Sequence, residues 1–238
     1  MHTANDSRIV VALDFPNART ALRCARGLDP SQCRVKVGKQ LYTAAPQVVR
    51  LLVKMGYSVF LDLKYHDIPN TVYGAVRAAA DIGVWMVNVH AEGGPEMLGK
   101  AARAVVDSQT DMRVIAVTVL TTMDKNDLQE VGTRVRSVRG LVLTRARLAS
   151  EWGLHGVVAS PLEARAIRRI IHPNFLIVTP GIRLPDGNVH DQKRVGTPEY
   201  AMQNGADYLV VGRPITEALI PGIALQNFND RVRTALGN

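Results

Sequence analysis

Phe60-Leu61-Asp62-Leu63-Lys64-Tyr65-His66-Asp67-Ile68-Pro69-Asn70-Thr71 decides how this chain is read. Its first half alternates apolar and charged residues. Successive side chains of a strand point to opposite faces, so Asp62 and Lys64 share one face and Leu61 and Leu63 the other. If the leucines face covering helices, the charged pair points inward. Asp67 follows in the turn, and Pro69 stops the strand. An inward charge needs a partner, because unpaired burial is costly. Lys36, set between Val35 and Val37 on the preceding apolar run, is placed to face Asp62. Two unit charges about 4 Å apart interact by roughly 4 kcal/mol at an effective dielectric near 20. Such a network holds an ammonium group protonated and fixed, as a general acid for a developing carbanion requires. The plainer alternative is a salt-bridge network that only plugs a barrel.

Outward from this stretch, short apolar runs recur, each followed by a helical pattern. Eight strands are expected, at Ile9–Asp14, Val35–Lys39, Val59–Lys64, Met86–His90, Val114–Leu120, Gly156–Ser160, Phe175–Pro180 and Tyr208–Gly212. Thr71–Ile82 and Pro198–Asn204 are among the helical segments between them. This alternation gives βαβ units and a parallel sheet. Eight units in 238 residues favour a closed (β/α)8 barrel, a TIM barrel, as a single domain over 1–238. No linker or low-complexity tract interrupts it.

Polar residues gather where the runs finish: Asp14, Lys36, Asp62, Lys64, Asn88, His90, Thr121, Ser160, Arg183 and Arg213. In a barrel these strand ends open on one face, where active sites lie. Gly212-Arg213 reads as an anion site, since arginine offers a fork of donors and glycine lets an anion approach the backbone. Phosphate sites are common beside strands seven and eight. Gly181 to Arg194 is rich in Gly, Pro, Asp and Asn and reads as a mobile lid carrying Gln192.

Hydrophobic residues make up 47% of the chain, enough for a large core, but aromatics only 5%. The core must therefore be built from Val, Ile, Leu and Ala, as buried parallel strands are. The formal net charge of +8 raises the question of nucleic acid. The densest basic group, Arg134 to Arg147, lies amid Val and Leu and reads as the outer face of a helix. No nucleic-acid-binding motif is present. Cys24 and Cys33 lack metal-ligand spacing and fit a reducing cytosol as ordinary thiols. Met1 to Arg8 has no apolar stretch, so a signal peptide is not expected, and no run is long enough to span a membrane. A cytoplasmic location is expected.

At this point the residues carry a resemblance. Asp62-Leu-Lys64-Tyr-His-Asp67-Ile-Pro-Asn-Thr71 resembles the active-site signature of the orotidine 5′-phosphate decarboxylase family. Further matches spread over nearly the whole chain: Val11-Ala-Leu-Asp14, Val35-Lys36-Val-Gly38, Val87-Asn-Val-His90-Ala, Val117-Thr-Val-Leu-Thr121, Thr179-Pro-Gly-Ile-Arg183, Asp191-Gln192 and Val211-Gly212-Arg213-Pro-Ile-Thr216. The resemblance implies decarboxylation of orotidine 5′-phosphate to UMP in pyrimidine biosynthesis, without metal or organic cofactor. It implies that Lys64 protonates C6 of the pyrimidine, flanked by Asp62 and Asp67, with Lys36 completing the row. Asp14 and Lys36 would bind ribose hydroxyls, and Thr121 the pyrimidine edge. Gln192, the Gly212 amide and Arg213 would hold the phosphate, and Arg183 a further position at the ligand. It also implies a homodimer in which Asp67, Ile68 and Thr71 reach the partner's site, with no nucleic-acid or membrane partner. Glu92 departs from the pattern, since relatives usually carry a small residue there; it is expected to point outward. Metal-dependent sugar-phosphate enzymes of the same barrel group carry Glu on strand two, where this chain has Lys36.

Other polar residues draw plainer readings. His66 and His90 are expected to make structural hydrogen bonds, not to ligate a metal. Ser160 lacks a nucleophile-elbow motif. Lys39 reads as a rim residue, and Trp85 and Trp152 as packing.

Overall fold

The structure, a computed structural model, describes residues 7–184 and 194–237. Among the described residues, parallel strands β1 Ile9–Ala12, β2 Arg34–Gly38, β3 Val59–Tyr65, β4 Met86–His90, β5 Arg113–Val117, β6 Gly156–Val158, β7 Leu176–Thr179 and β8 Tyr208–Val211 close into a barrel in chain order. The helices are α1 Ala18–Arg26, α2 Lys39–Ala44, α3 Val48–Lys54, α4 Pro69–Ile82, α5 Gly94–Ser108, α6 Lys125–Glu130, α7 Val138–Glu151, α8 Pro161–Arg168, α9 Pro198–Gln203, α10 Arg213–Thr216 and α11 Pro221–Leu236. The (β/α)8 expectation is met.

Several strands stop short of their sequence limits. β1 ends at Ala12, β5 at Val117, β6 at Val158 and β8 at Val211. The chain keeps an extended course just beyond them: the Leu13 amide donates to the Lys36 carbonyl at 2.9 Å and the Ala159 amide to the Val178 carbonyl at 3.1 Å. Regular pairing has ended there, and Asp14, Thr121 and Ser160 sit just past it. β2 begins one residue earlier than expected, at Arg34.

Strand alternation divides the core into two layers. Val35, Val37, Leu61, Val87 and Val89 face outward and pack with Val72, Val76 and Leu98 of the surrounding helices. Val10, Ala12, Phe60, Met86, Ile115, Val178 and Val210 fill the barrel itself. Fully burying a valine, Phe60, Met86 or Ile115 contributes about 1.5–3 kcal/mol each. The N-terminal mouth is closed by Arg34, whose guanidinium lies 4.6 Å from the Trp85 ring and 4.8 Å from the Tyr208 ring. Trp85 therefore packs, as expected.

Helix starts follow the sequence closely. Pro69 stands in the first turn of α4, so the residue that stops the strand also starts the helix. Ser160 caps α8, its hydroxyl accepting from the Leu162 amide at 3.1 Å. That is a structural role, as the missing nucleophile motif indicated. In the basic group Arg134 to Arg147, Arg134, Arg136, Arg139 and Arg147 are exposed as expected. The helix begins only at Val138, however, and Arg145 turns inward, with its side chain 12% exposed. Cys24 and Cys33 form no disulfide, and burial pushes Cys33 up to about 12, so it stays an unreactive thiol. Among the described residues no helix is long and apolar enough to cross a membrane.

Candidate active site

The charged row forms at the C-terminal mouth. Lys36 on β2 reaches Asp14 Oδ1 at 2.9 Å and Asp62 Oδ2 at 3.2 Å. Lys64 Nζ lies 2.7 Å from Asp62 Oδ1. Asp62 is thus held between two ammonium groups. Burial alone would raise its pKa, but Lys36, Lys64 and the hydrogen bonds from Lys64 and Asn88 outweigh it and hold the carboxyl at about 2. Burial alone would lower the pKa of Lys36, but Asp62 and Asp14 keep it above its ordinary value. Gly38, which ends β2, makes room for this. A Cβ there would stand 3.0 Å from Asp14 Oδ1 and 3.3 Å from Lys36 Nζ.

Simple alternation does not fully account for Lys64. The β3–β4 register shifts between Leu61 and Tyr65, and Lys64 adopts φ 52°. This left-handed conformation is uncommon outside glycine. Asn88 on β4 supports it. Its Oδ1 accepts from the Lys64 amide at 2.7 Å, and its Nδ2 donates to Asp62 Oδ1 at 2.6 Å. One buried amide thereby fixes both the backbone of the lysine and the carboxylate it pairs with. In the sequence Asn88 was only one polar strand end among several. The sign of its role was its inward position beside Asp62 between outward Val87 and Val89.

A cavity of about 680 Å³ opens over the row. Asp14, Lys36, Asp62 and Lys64 line it together with Thr121, Arg183, Gly212 and Arg213. Of the residues expected at the ribose, base edge and phosphate, Asp14, Lys36, Thr121, Gly212 and Arg213 thus share one chamber with the lysine. Phe60, Val117, Val158 and Val210 give it an apolar floor. Arg183 is buried, with Nη1 donating to the Ile182 carbonyl at 2.8 Å. Gln192, and with it most of the stretch read as a lid, lies outside the described residues.

Asp67, Ile68 and Thr71 stand apart from the row. All three are exposed on the shoulder leading into α4, Ile68 at 69%, and Asp67 Oδ1 accepts from the Ile68 amide. The His66 and His90 rings lie 5.6 Å apart, and no cluster of three metal-ligating side chains occurs among the described residues. Lys39 is an exposed rim residue. Glu92 pairs with Arg145 at 2.6 Å.

A closed (β/α)8 barrel whose C-terminal mouth holds an ammonium–carboxylate row in one cavity with two arginines has the layout of a barrel enzyme. The chain belongs to the orotidine 5′-phosphate decarboxylase / HUMPS family, whose model matches residues 7–228. A protein from Nitrosomonas europaea named orotidine 5′-phosphate decarboxylase is 53% identical over 234 residues, covering 98% of this chain and 100% of that protein. One of the same name from Nitrosospira multiformis is 52% identical over 226 residues, covering 94% of this chain and 93% of that protein. The crystal structure of orotidine 5′-phosphate decarboxylase from Lactobacillus acidophilus superposes with a TM-score of 0.85 at 34% identity, covering 95% of this chain and 99% of that one.

Proposed function

We propose that this chain converts orotidine 5′-phosphate to UMP and CO2 in pyrimidine biosynthesis, with Lys64 as the proton donor and no metal or organic cofactor. The observation that carries this is the 2.7 Å bond that fixes Lys64 against a buried carboxylate, inside the cavity that Arg213 also lines. The pyrimidine rests over the row with C6 beside Lys64 Nζ. The bond from C6 to its carboxyl carbon breaks, CO2 leaves, and the electron pair stays on C6. A proton from Lys64 Nζ joins that pair, and the neutral amine regains a proton from solvent. A fixed ammonium close to where negative charge develops stabilises that charge without reorganising at the moment of reaction.

Substrate binding divides along the cavity. Asp14 and Lys36 hold ribose hydroxyls, Thr121 meets the pyrimidine edge, and Arg183 sits beside the ligand. Gly212, Arg213 and Gln192 hold the phosphate. Binding energy from that unreactive group then supports the chemistry at the ring. The enzyme acts as a homodimer, with Asp67, Ile68 and Thr71 reaching the partner's site beside its Lys64. The exposure of these three residues in the single chain supports that reading. Two cysteines that form no disulfide accord with a cytoplasmic setting.

The test is turnover by chelator-treated protein. Orotidine 5′-phosphate should lose its characteristic absorbance with no metal added, and orotidine lacking the phosphate should react far more slowly. Consumption that requires added Mg2+, or equal rates on the two substrates, contradicts the proposal.

A further inference from the structure

Beyond β5 the chain runs through Thr118, Val119 and Leu120 to Thr121, which is buried at the cavity wall. This run is past regular pairing, yet its three successive carbonyls are all bonded by arginines. Arg145 Nη1 donates to the Thr118 carbonyl at 2.5 Å. Arg194 Nη2 donates to the Leu120 carbonyl at 3.0 Å and more weakly to the Val119 carbonyl at 3.4 Å. The Leu120 carbonyl also accepts from the Met123 amide at 2.9 Å. Each guanidinium is held from behind by a glutamate, Arg145 by Glu92 and Arg194 by Glu163, both at 2.6 Å.

The Arg194–Glu163 pair is the more deeply set, with side chains 13% and 6% exposed. Glu163 stands in the first turn of α8, after β6. Arg194 lies two residues before Gly196, which exchanges backbone bonds with the segment after β7. The Gly196 amide donates to the Gly181 carbonyl at 3.1 Å, and the Arg183 amide to the Gly196 carbonyl at 3.0 Å. One arginine therefore ties together the junctions that follow three adjacent strands: the Thr121 turn after β5, Glu163 after β6 and the Arg183 segment after β7. Neither Arg194 nor Glu163 lines the cavity that the described residues form, so they act on the site from behind its wall.

We infer that Arg194, oriented by Glu163, is a positioning residue that sets where the Thr121 turn lies against the pyrimidine. The inference rests on the proposed decarboxylase reading, since it assumes that a pyrimidine meets Thr121. It gives Arg194 a selective effect. Loosening the turn weakens recognition of the base, while the Gly212–Arg213 end, where β8 passes into α10, keeps its hold on phosphate. A lysine at this position keeps a charge for Glu163 but lacks the fork needed to reach glutamate and carbonyls together.

The test compares UMP with ribose 5-phosphate by equilibrium titration of wild type, Arg194→Lys and the double variant Glu163→Gln with Arg194→Gln. The double variant leaves no buried charge unpaired, which guards against simple misfolding. Both variants should bind UMP about tenfold more weakly, the loss expected for one or two hydrogen bonds. Ribose 5-phosphate affinity should stay within about twofold, and kcat on orotidine 5′-phosphate should fall. Equal weakening of both ligands means general distortion and overturns the inference, as does unchanged UMP affinity in both variants. Wild type that neither binds UMP nor consumes orotidine 5′-phosphate would instead refute the functional reading itself.

Discussion

At Lys64 the backbone leaves the strand conformation, with φ 52°, and the amide so turned is received by Asn88. A non-glycine residue in this region costs of order 1 kcal/mol and persists only where its surroundings enforce it. Here the enforcing group also grips Asp62. Asn88→Ala removes both bonds at once. It should lower stability to urea by about 1–3 kcal/mol, the cost of leaving buried polar groups unsatisfied. It should also reduce kcat by roughly tenfold to a hundredfold, because a small misplacement of a reacting group is expensive. Steady-state kinetics showing wild-type kcat would mean that Lys64 needs no such support.

The junction of β2 with α2 shows how an element makes space for the chemistry. Gly38 ends the strand and caps the helix, and the pair Lys36–Asp14 occupies the volume a larger residue would fill. Gly38→Ala should therefore push Asp14 aside and raise KM by roughly fivefold to tenfold, at a stability cost of about 1 kcal/mol. An unchanged KM would remove Asp14 from ribose binding. Element identity was legible in the sequence because buried parallel strands are short apolar runs and their helices carry a helical period. The inward facing of Lys36 and Asp62 was legible too, since Val35, Val37, Leu61 and Leu63 leave no other face. The β3 irregularity was not, because alternation assigns Lys64 to the correct side for an incomplete reason. Nor was the inward turn of Arg145, since in sequence a helix arginine amid Val and Leu looks the same whether its head meets water or a glutamate on another loop. Arg34 plugging the barrel's lower end was equally hidden, because its partners Trp85 and Tyr208 are far away in the chain.

For the whole molecule, the row at the mouth couples stability to pH. Asp62 falls from 3.8 to about 2 on folding. A depressed carboxyl contributes stability that is complete above its ordinary value and is lost as pH falls toward the folded one. Lys36 is raised above 10.5, so its share is present below that value and is lost only as pH rises through the folded one. Wild type should therefore lose about 2 kcal/mol more than Asp62→Asn between about pH 5 and pH 2, measured by urea unfolding. Parallel curves for the two proteins would show that the carboxylate gains nothing from its two lysines in the folded chain. The excess of basic residues, +8 overall, otherwise serves separate ends: Arg34 at the barrel floor, Arg145 and Arg194 behind the Thr121 turn, and Arg213 at the cavity.

The most direct measurement is the turnover of orotidine 5′-phosphate by Lys64→Ala, made alongside a circular dichroism check of folding. A folded variant should lose at least about a hundredfold to ten-thousandfold in kcat, the share general acid catalysis supplies. A folded variant that works at the wild-type rate would contradict the assignment of the proton to Lys64.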